Sequence, residues 1–139
     1  MTTDVVFQSK VLEFERCVLE QSQVDIPVRH YFSKNVYARE ITIPAGTYGT
    51  GALHRFENMH FLLKGRIIVA TEEGTHEFVA PCTMISPPGI KRAFYAPEET
   101  VWTTIVGTPE RDVSKIVDEF LAPSYTALSC EENAQLSLF

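Results

Sequence analysis

The sequence is short of positive charge. Lys and Arg number 12 against 18 Asp and Glu, giving a formal net charge of -6, and the basic residues come no denser than pairs such as Lys91-Arg92. Nucleic acids and anionic membranes are bound through clustered cations, so neither partner is expected. Cysteine is scarce as well. Cys17, Cys82 and Cys130 are odd in number and lack C-x-x-C spacing, which argues against a disulfide framework and a zinc finger and fits idle thiols in a reducing compartment. No apolar run is long enough to span a bilayer, and Met1-Thr2-Thr3-Asp4 carries no basic leader region; a soluble, cytoplasmic protein is expected. G-x-S-x-G, P-loop and H-E-x-x-H patterns are all missing, and no histidine stands at a known spacing from Cys82 for thiol chemistry.

What is present reads as one domain. The 139 residues are 45% hydrophobic, with nine Phe and five Tyr, enough for a real core. Phe7, Val11, Phe14 and Val18 recur at spacings of four, three and four, a helical stripe suited to packing on a barrel or across a dimer interface. The period then changes. Residues 36–43 alternate and are β-branched, and Pro44-Ala45-Gly46 ends them with a turn. Strand-like runs follow at 52–56, 60–63, 66–71, 76–79, 84–86, 92–95 and 101–106, punctuated by Gly or Pro. Short strands at close spacing predict a sandwich or barrel. A second helical period, Val113, Ile116, Val117, Phe120 and Leu121, starts behind the N-cap candidate Asp112 and stops at Pro123. The tail 124–139 has no clear period and is expected to cross to a partner subunit or to be loosely held.

Two motifs carry a family resemblance. Gly46 and Gly65 stand at the two glycine positions of the first cupin motif, with His54 on its second histidine; Ala52 replaces the first histidine and Asn58 the glutamate. Pro87-Pro88-Gly89 matches the centre of the second motif, with Pro81 in place of its leading glycine and Arg92 in place of its histidine. Fifteen residues, 66–80, separate the two, as in the most compact cupins. The sequence thus resembles the cupin superfamily, and the run from Ala80 to Thr104 is similar to uncharacterised cupin-like proteins of bacteriophages and prophages. The resemblance implies an all-β fold: a single cupin jelly-roll β-barrel at 36–107, with an N-terminal helix and loop at 1–35 and a C-terminal helix and tail at 108–139. A homodimer is expected, as is common for compact cupins.

In cupins three His and one Glu hold a divalent metal inside the barrel. Here one of those four ligands survives. Alanine cannot coordinate, an Asn amide is a poor ligand for zinc or iron, and Arg is a permanent cation. One alternative remains: regular alternation turns His60 to the same side as His54, so that the two histidines could hold a divalent metal (Zn, Fe, Mn or Ni) with a third ligand. His60 reads equally as a core histidine paired with a hydroxyl or carbonyl. His30 and His76 read as surface residues, and Glu57 as outward-facing. The candidate ligand-binding set is therefore His54, Asn58, His60, Arg92 and Trp102, with Phe94 or Tyr95 beside it, and the expected ligand is a polar, planar or anionic small molecule. Three functions follow: a small-molecule-binding cupin without the usual metal site, such as a phage accessory protein; a cupin enzyme, an isomerase or dioxygenase, working with a divergent metal site or without metal; and a structural or virion-associated interaction protein.

Overall fold

The computed structural model describes residues 2–123. Two antiparallel sheets face one another as a jelly-roll sandwich, and their edges do not join into a closed barrel. The larger sheet holds β1 (Val28–Ser33), β2 (Val36–Ile43), β5 (Asn58–Lys64), β8 (Cys82–Ser86) and β10 (Thr100–Gly107), in the order β1-β2-β10-β5-β8. The smaller holds β3 (Thr47–Thr50), β6 (Arg66–Thr71), β7 (Gly74–Val79) and β9 (Ala93–Ala96), in the order β3-β9-β6-β7. A two-residue strand β4 (Leu53–His54) pairs with β11 (Leu121–Ala122) beside them.

Alternation along β2 shows why these residues make a strand. Tyr37, Arg39 and Ile43 are buried while their neighbours are more open, so one face looks into the sandwich and the other outward. Ile43, Leu62, Ile67, Val69 and Ala96 form the core between the sheets, joined by Phe78, Phe94 and Trp102. Strands β2 and β6 have the bounds read from sequence, and β5, β7, β8, β9 and β10 lie within two residues of theirs. The run at 52–56 shrinks to β4, because the backbone is irregular at Gly51-Ala52 and bends at Arg55-Phe56. Three strands, β1, β3 and β11, were not legible as runs.

Helix α1 (Thr2–Leu19) packs on β3 and β9. Val11 is buried and Phe7, Phe14 and Val18 are half-buried, so the predicted stripe is the packed face. The helix is tied down by an ion pair: Lys91 Nζ lies 2.7 Å from Glu15 Oε2, both side chains largely out of water, and Thr50 donates its hydroxyl to the same carboxylate. Helix α2 (Val113–Phe120) starts at Asp112, whose Oδ1 accepts from the Ser114 backbone N–H at 3.0 Å, satisfying one of the open donors of the first turn. Ile116 inserts between Tyr37 and Val106 to form a second, smaller core. Among the described residues no helix is long and apolar enough to cross a membrane. Cys130 and the tail 124–139 lie outside the described residues.

The two motif glycines do different work. Both have positive φ, 82° at Gly46 and 80° at Gly65. A Cβ at Gly46 would meet nothing within 4 Å, whereas at Gly65 it would lie 2.3 Å from the Glu99 carbonyl oxygen and 2.7 Å from Thr100 Oγ1. Gly46→Ala therefore costs only the backbone conformation, about 1 kcal/mol, and Gly65→Ala adds a clash with main chain for about 3 kcal/mol or more. Urea unfolding of the two variants checks this; equal losses would show that the close approach at Gly65 is relieved at no cost.

Candidate functional site

The sandwich encloses a cavity of about 500 Å³, and His54, Asn58, His60, Arg92 and Trp102 all contribute to its wall. Sequence reasoning brought these five together, and the structure places them in one space. Of the two aromatic candidates, Phe94 faces the cavity and Tyr95 is exposed, as their opposite parity on β9 requires. Most of the remaining wall is apolar, including Ile41, Ile67, Val69 and Met84.

Strand register sets the floor. Thr104 of β10 pairs with Arg39 on one side and His60 on the other, and His60 pairs with Met84. One row across the sheet thus carries a guanidinium, a hydroxyl, an imidazole and a thioether on the cavity side. Arg39, buried in β2, was missed as a site residue. Its signal was available, since it shares parity with Tyr37, Ile41 and Ile43. Burial lowers its guanidinium to about 10, still protonated at neutral pH.

His60 is held by two partners. Trp102 donates its indole N–H to His60 Nδ1 at 3.0 Å, and Thr104 Oγ1 lies 3.0 Å from the same nitrogen. An indole nitrogen can only donate, so Nδ1 accepts and the neutral ring carries its proton on Nε2. Burial, then the neighbouring His54 and Arg92, push His60 down to about 3. The reading of His60 as a histidine paired with a hydroxyl holds, and the indole is the partner it did not foresee.

His54 is positioned by its backbone. Its carbonyl accepts from the Gly89 N–H at 2.9 Å, and its residue pairs with Leu121 in β11. Next to it, Arg55 Nε donates to the Leu121 carbonyl at 3.0 Å. The C-terminal helix and the Pro87-Pro88-Gly89 turn therefore clamp the strand that carries the histidine. Burial lowers the His54 ring to about 4, opposed by a hydrogen bond to the Ala52 backbone and reinforced by Arg39; its ring centroid lies 6.0 Å from that of His60.

Asn58 and Arg92 meet at Ser86. Asn58 is the register partner of Ser86, and Arg92 Nη1 reaches Ser86 Oγ at 3.5 Å. Asn58 Nδ2 donates to the Phe56 carbonyl at 3.1 Å. Its Oδ1, like Arg92 Nε and Glu72 Oε1, is buried with no hydrogen-bond partner among the described residues. Each such group costs about 1–3 kcal/mol of desolvation until something fills it. His30 is exposed and shares a 2.6 Å hydrogen bond with the Tyr37 hydroxyl; His76 is exposed yet borders the cavity. Glu57 is exposed, as expected.

Solved structures now supply the comparison. A cupin superfamily protein from Desulfitobacterium hafniense superposes with a TM-score of 0.52 at 11% identity, covering 66% of this chain and 85% of its own. The fold is that of a cupin. The Cnp3 cupin domain of Schizosaccharomyces pombe matches this chain with a TM-score of 0.50 at 17% identity, over 67% and 72% of the two chains. An acetylacetone dioxygenase from Acinetobacter johnsonii matches at 0.50 and 21% identity, over 61% of each chain. At these identities the likeness concerns fold alone. No family model and no curated protein sequence matches the chain.

The donor set does not suit the divalent metal that the cupin fold commonly carries. Among the described residues no three His, Cys, Asp or Glu stand together to hold an ion. The proton on His60 Nε2 denies that nitrogen to a metal, Nδ1 is engaged, and Arg92 places a fixed cation beside it.

Because both histidines are neutral in the fold and titrate near 6.5 when unfolded, the unfolded chain takes up protons first as pH drops. Stability is full above about pH 6.5 and falls as pH approaches the folded values of about 3 and 4. Between pH 7 and 4.5 each histidine should contribute a loss of about 2 kcal/mol. Melting temperature followed by circular dichroism checks this, and the slope should flatten in His54→Gln/His60→Gln. An unchanged slope would assign the acid loss to surface carboxylates.

Proposed function

We propose that this cupin is a small-molecule-binding protein that holds an anionic ligand inside the sandwich without a metal. One observation carries the reading: Arg92 Nε is a buried, charged donor with no acceptor among the described residues, in a cavity that also receives Arg39. A guanidinium matches carboxylate or phosphate through parallel N–H donors, and such bonds strengthen away from water. The neutral histidines add hydrogen-bonding edges but no charge, and the apolar wall favours a ligand with carbon to bury. Binding is preferred over acid–base catalysis because an imidazole lowered to about 4 is a weak base at neutral pH. An accessory role in a bacteriophage or prophage is part of the same proposal.

Trp102 is the sole tryptophan of the chain and lies in the cavity wall, so its fluorescence reports occupancy. Benzoate, octanoate or phenyl phosphate should change the Trp102 emission and raise the melting temperature, and Arg92→Leu should remove both effects. Metal content by plasma mass spectrometry, on protein purified without a histidine tag, should stay far below one ion per chain. Stoichiometric metal lost in both His54→Ala and His60→Ala would replace the reading with a divergent metal site. Anion binding unaffected by Arg92→Leu would place the site elsewhere.

A further inference from the structure

The cavity presents two unmet needs side by side, and they differ in kind. Arg92 Nε requires an acceptor, best a negatively charged one, while Asn58 Oδ1 requires a donor. The orientation of the amide is set by Nδ2 donating to the Phe56 carbonyl; the flipped amide would oppose two oxygens. Proximity follows from register. Asn58 and Ser86 are paired residues of β5 and β8, whose Cβ atoms lie about 5 Å apart in such ladders, and Arg92 Nη1 is 3.5 Å from Ser86 Oγ. Guanidinium and carboxamide thus flank one serine hydroxyl.

A plain carboxylate answers the first need and aggravates the second, since its oxygens repel Asn58 Oδ1. A donor on the carbon next to the carboxylate answers both at once. That donor is better neutral than charged. Arg39 and Arg92 already place two cations in the wall, and an ammonium would add a third where water screens poorly. The two carboxylates of the wall, Glu72 and Glu73, belong to the turn between β6 and β7 in the other sheet and not to the Ser86 neighbourhood. The rest of the space is walled by Ile41, Ile67, Val69, Met84 and Phe94 within about 500 Å³, far more than a three-carbon acid fills.

We propose that the cavity is built for a 2-hydroxycarboxylate with an apolar body, its carboxylate on Arg92 and its hydroxyl donating to Asn58 Oδ1. The inference rests on the reading of this cavity as an anion site and narrows it to one ligand class.

The test uses the full chain and four commercial probes: 3-phenyllactate, 3-phenylpropanoate without the hydroxyl, phenylalanine with an ammonium in its place, and lactate without the ring. Affinities come from Trp102 fluorescence and titration calorimetry. Phenyllactate should bind about tenfold more tightly than phenylpropanoate, the effect of one additional buried hydrogen bond, and more tightly than phenylalanine or lactate. In Asn58→Leu, phenyllactate should fall to the affinity of phenylpropanoate; should that variant not fold, the four wild-type affinities decide. Equal binding of phenyllactate and phenylpropanoate, or tighter binding of phenylalanine, overturns this inference and leaves the anion site standing. Silence toward all four, and toward benzoate and octanoate, overturns both.

Discussion

An indole N–H has nothing to offer but a proton, and the hydrogen bond from Trp102 to His60 Nδ1 orders the interior of this cupin-like sandwich. It fixes which nitrogen of His60 is bare and which is protonated. From that choice it follows that the ring faces the cavity as a donor and not as a ligand for a cation. Thr104 contacts the same nitrogen and sits between His60 and Arg39 in the pairing of β10. The central strand of the larger sheet therefore supplies both partners that hold the ring and the spacer that separates it from the guanidinium.

The positive charge of the interior has changed form. Two arginines, Arg39 and Arg92, line the cavity, Arg92 at the motif position where cupins carry a histidine. A metal ion attracts lone pairs from any direction its coordination sphere leaves open; a guanidinium attracts them in a plane and at set spacing. Two guanidiniums in the wall make the potential there attractive to anions. In the proposed anion site selectivity follows from how the fork is aimed, and Arg92 Nη1 lies 3.5 Å from Ser86 Oγ.

Much of this was legible because strand parity is strict. The bounds of β2 and β6, the convergence of His54, Asn58 and His60, and the amphipathic stripe of α1 all follow from period and spacing. Where legibility failed, the physical reason is local. Strand β1 is an edge strand exposed on nearly every residue, so burial imposes no alternation on it. Strand β3 has four residues, one of them Gly49, and β11 has two; elements this short are stabilised by their neighbours and not by their own pattern. Arg39 escaped notice because a charged side chain reads as outward, although its parity placed it inside. The pairing of β11 with β4 depends on where α2 ends in space, which no local pattern records.

The ion pair between Glu15 and Lys91 makes the first helix part of the cavity's architecture. Lys91 is buried and stands next to Arg92 in sequence, so the segment that brings Arg92 to the cavity also carries a cation whose counter-charge comes from a segment 76 residues earlier in the chain. A charge held away from water is tolerable only while its partner is there. The helix is thus no detachable appendage: any change that lifted it would remove the counter-charge of Lys91, the residue next to Arg92 in the chain.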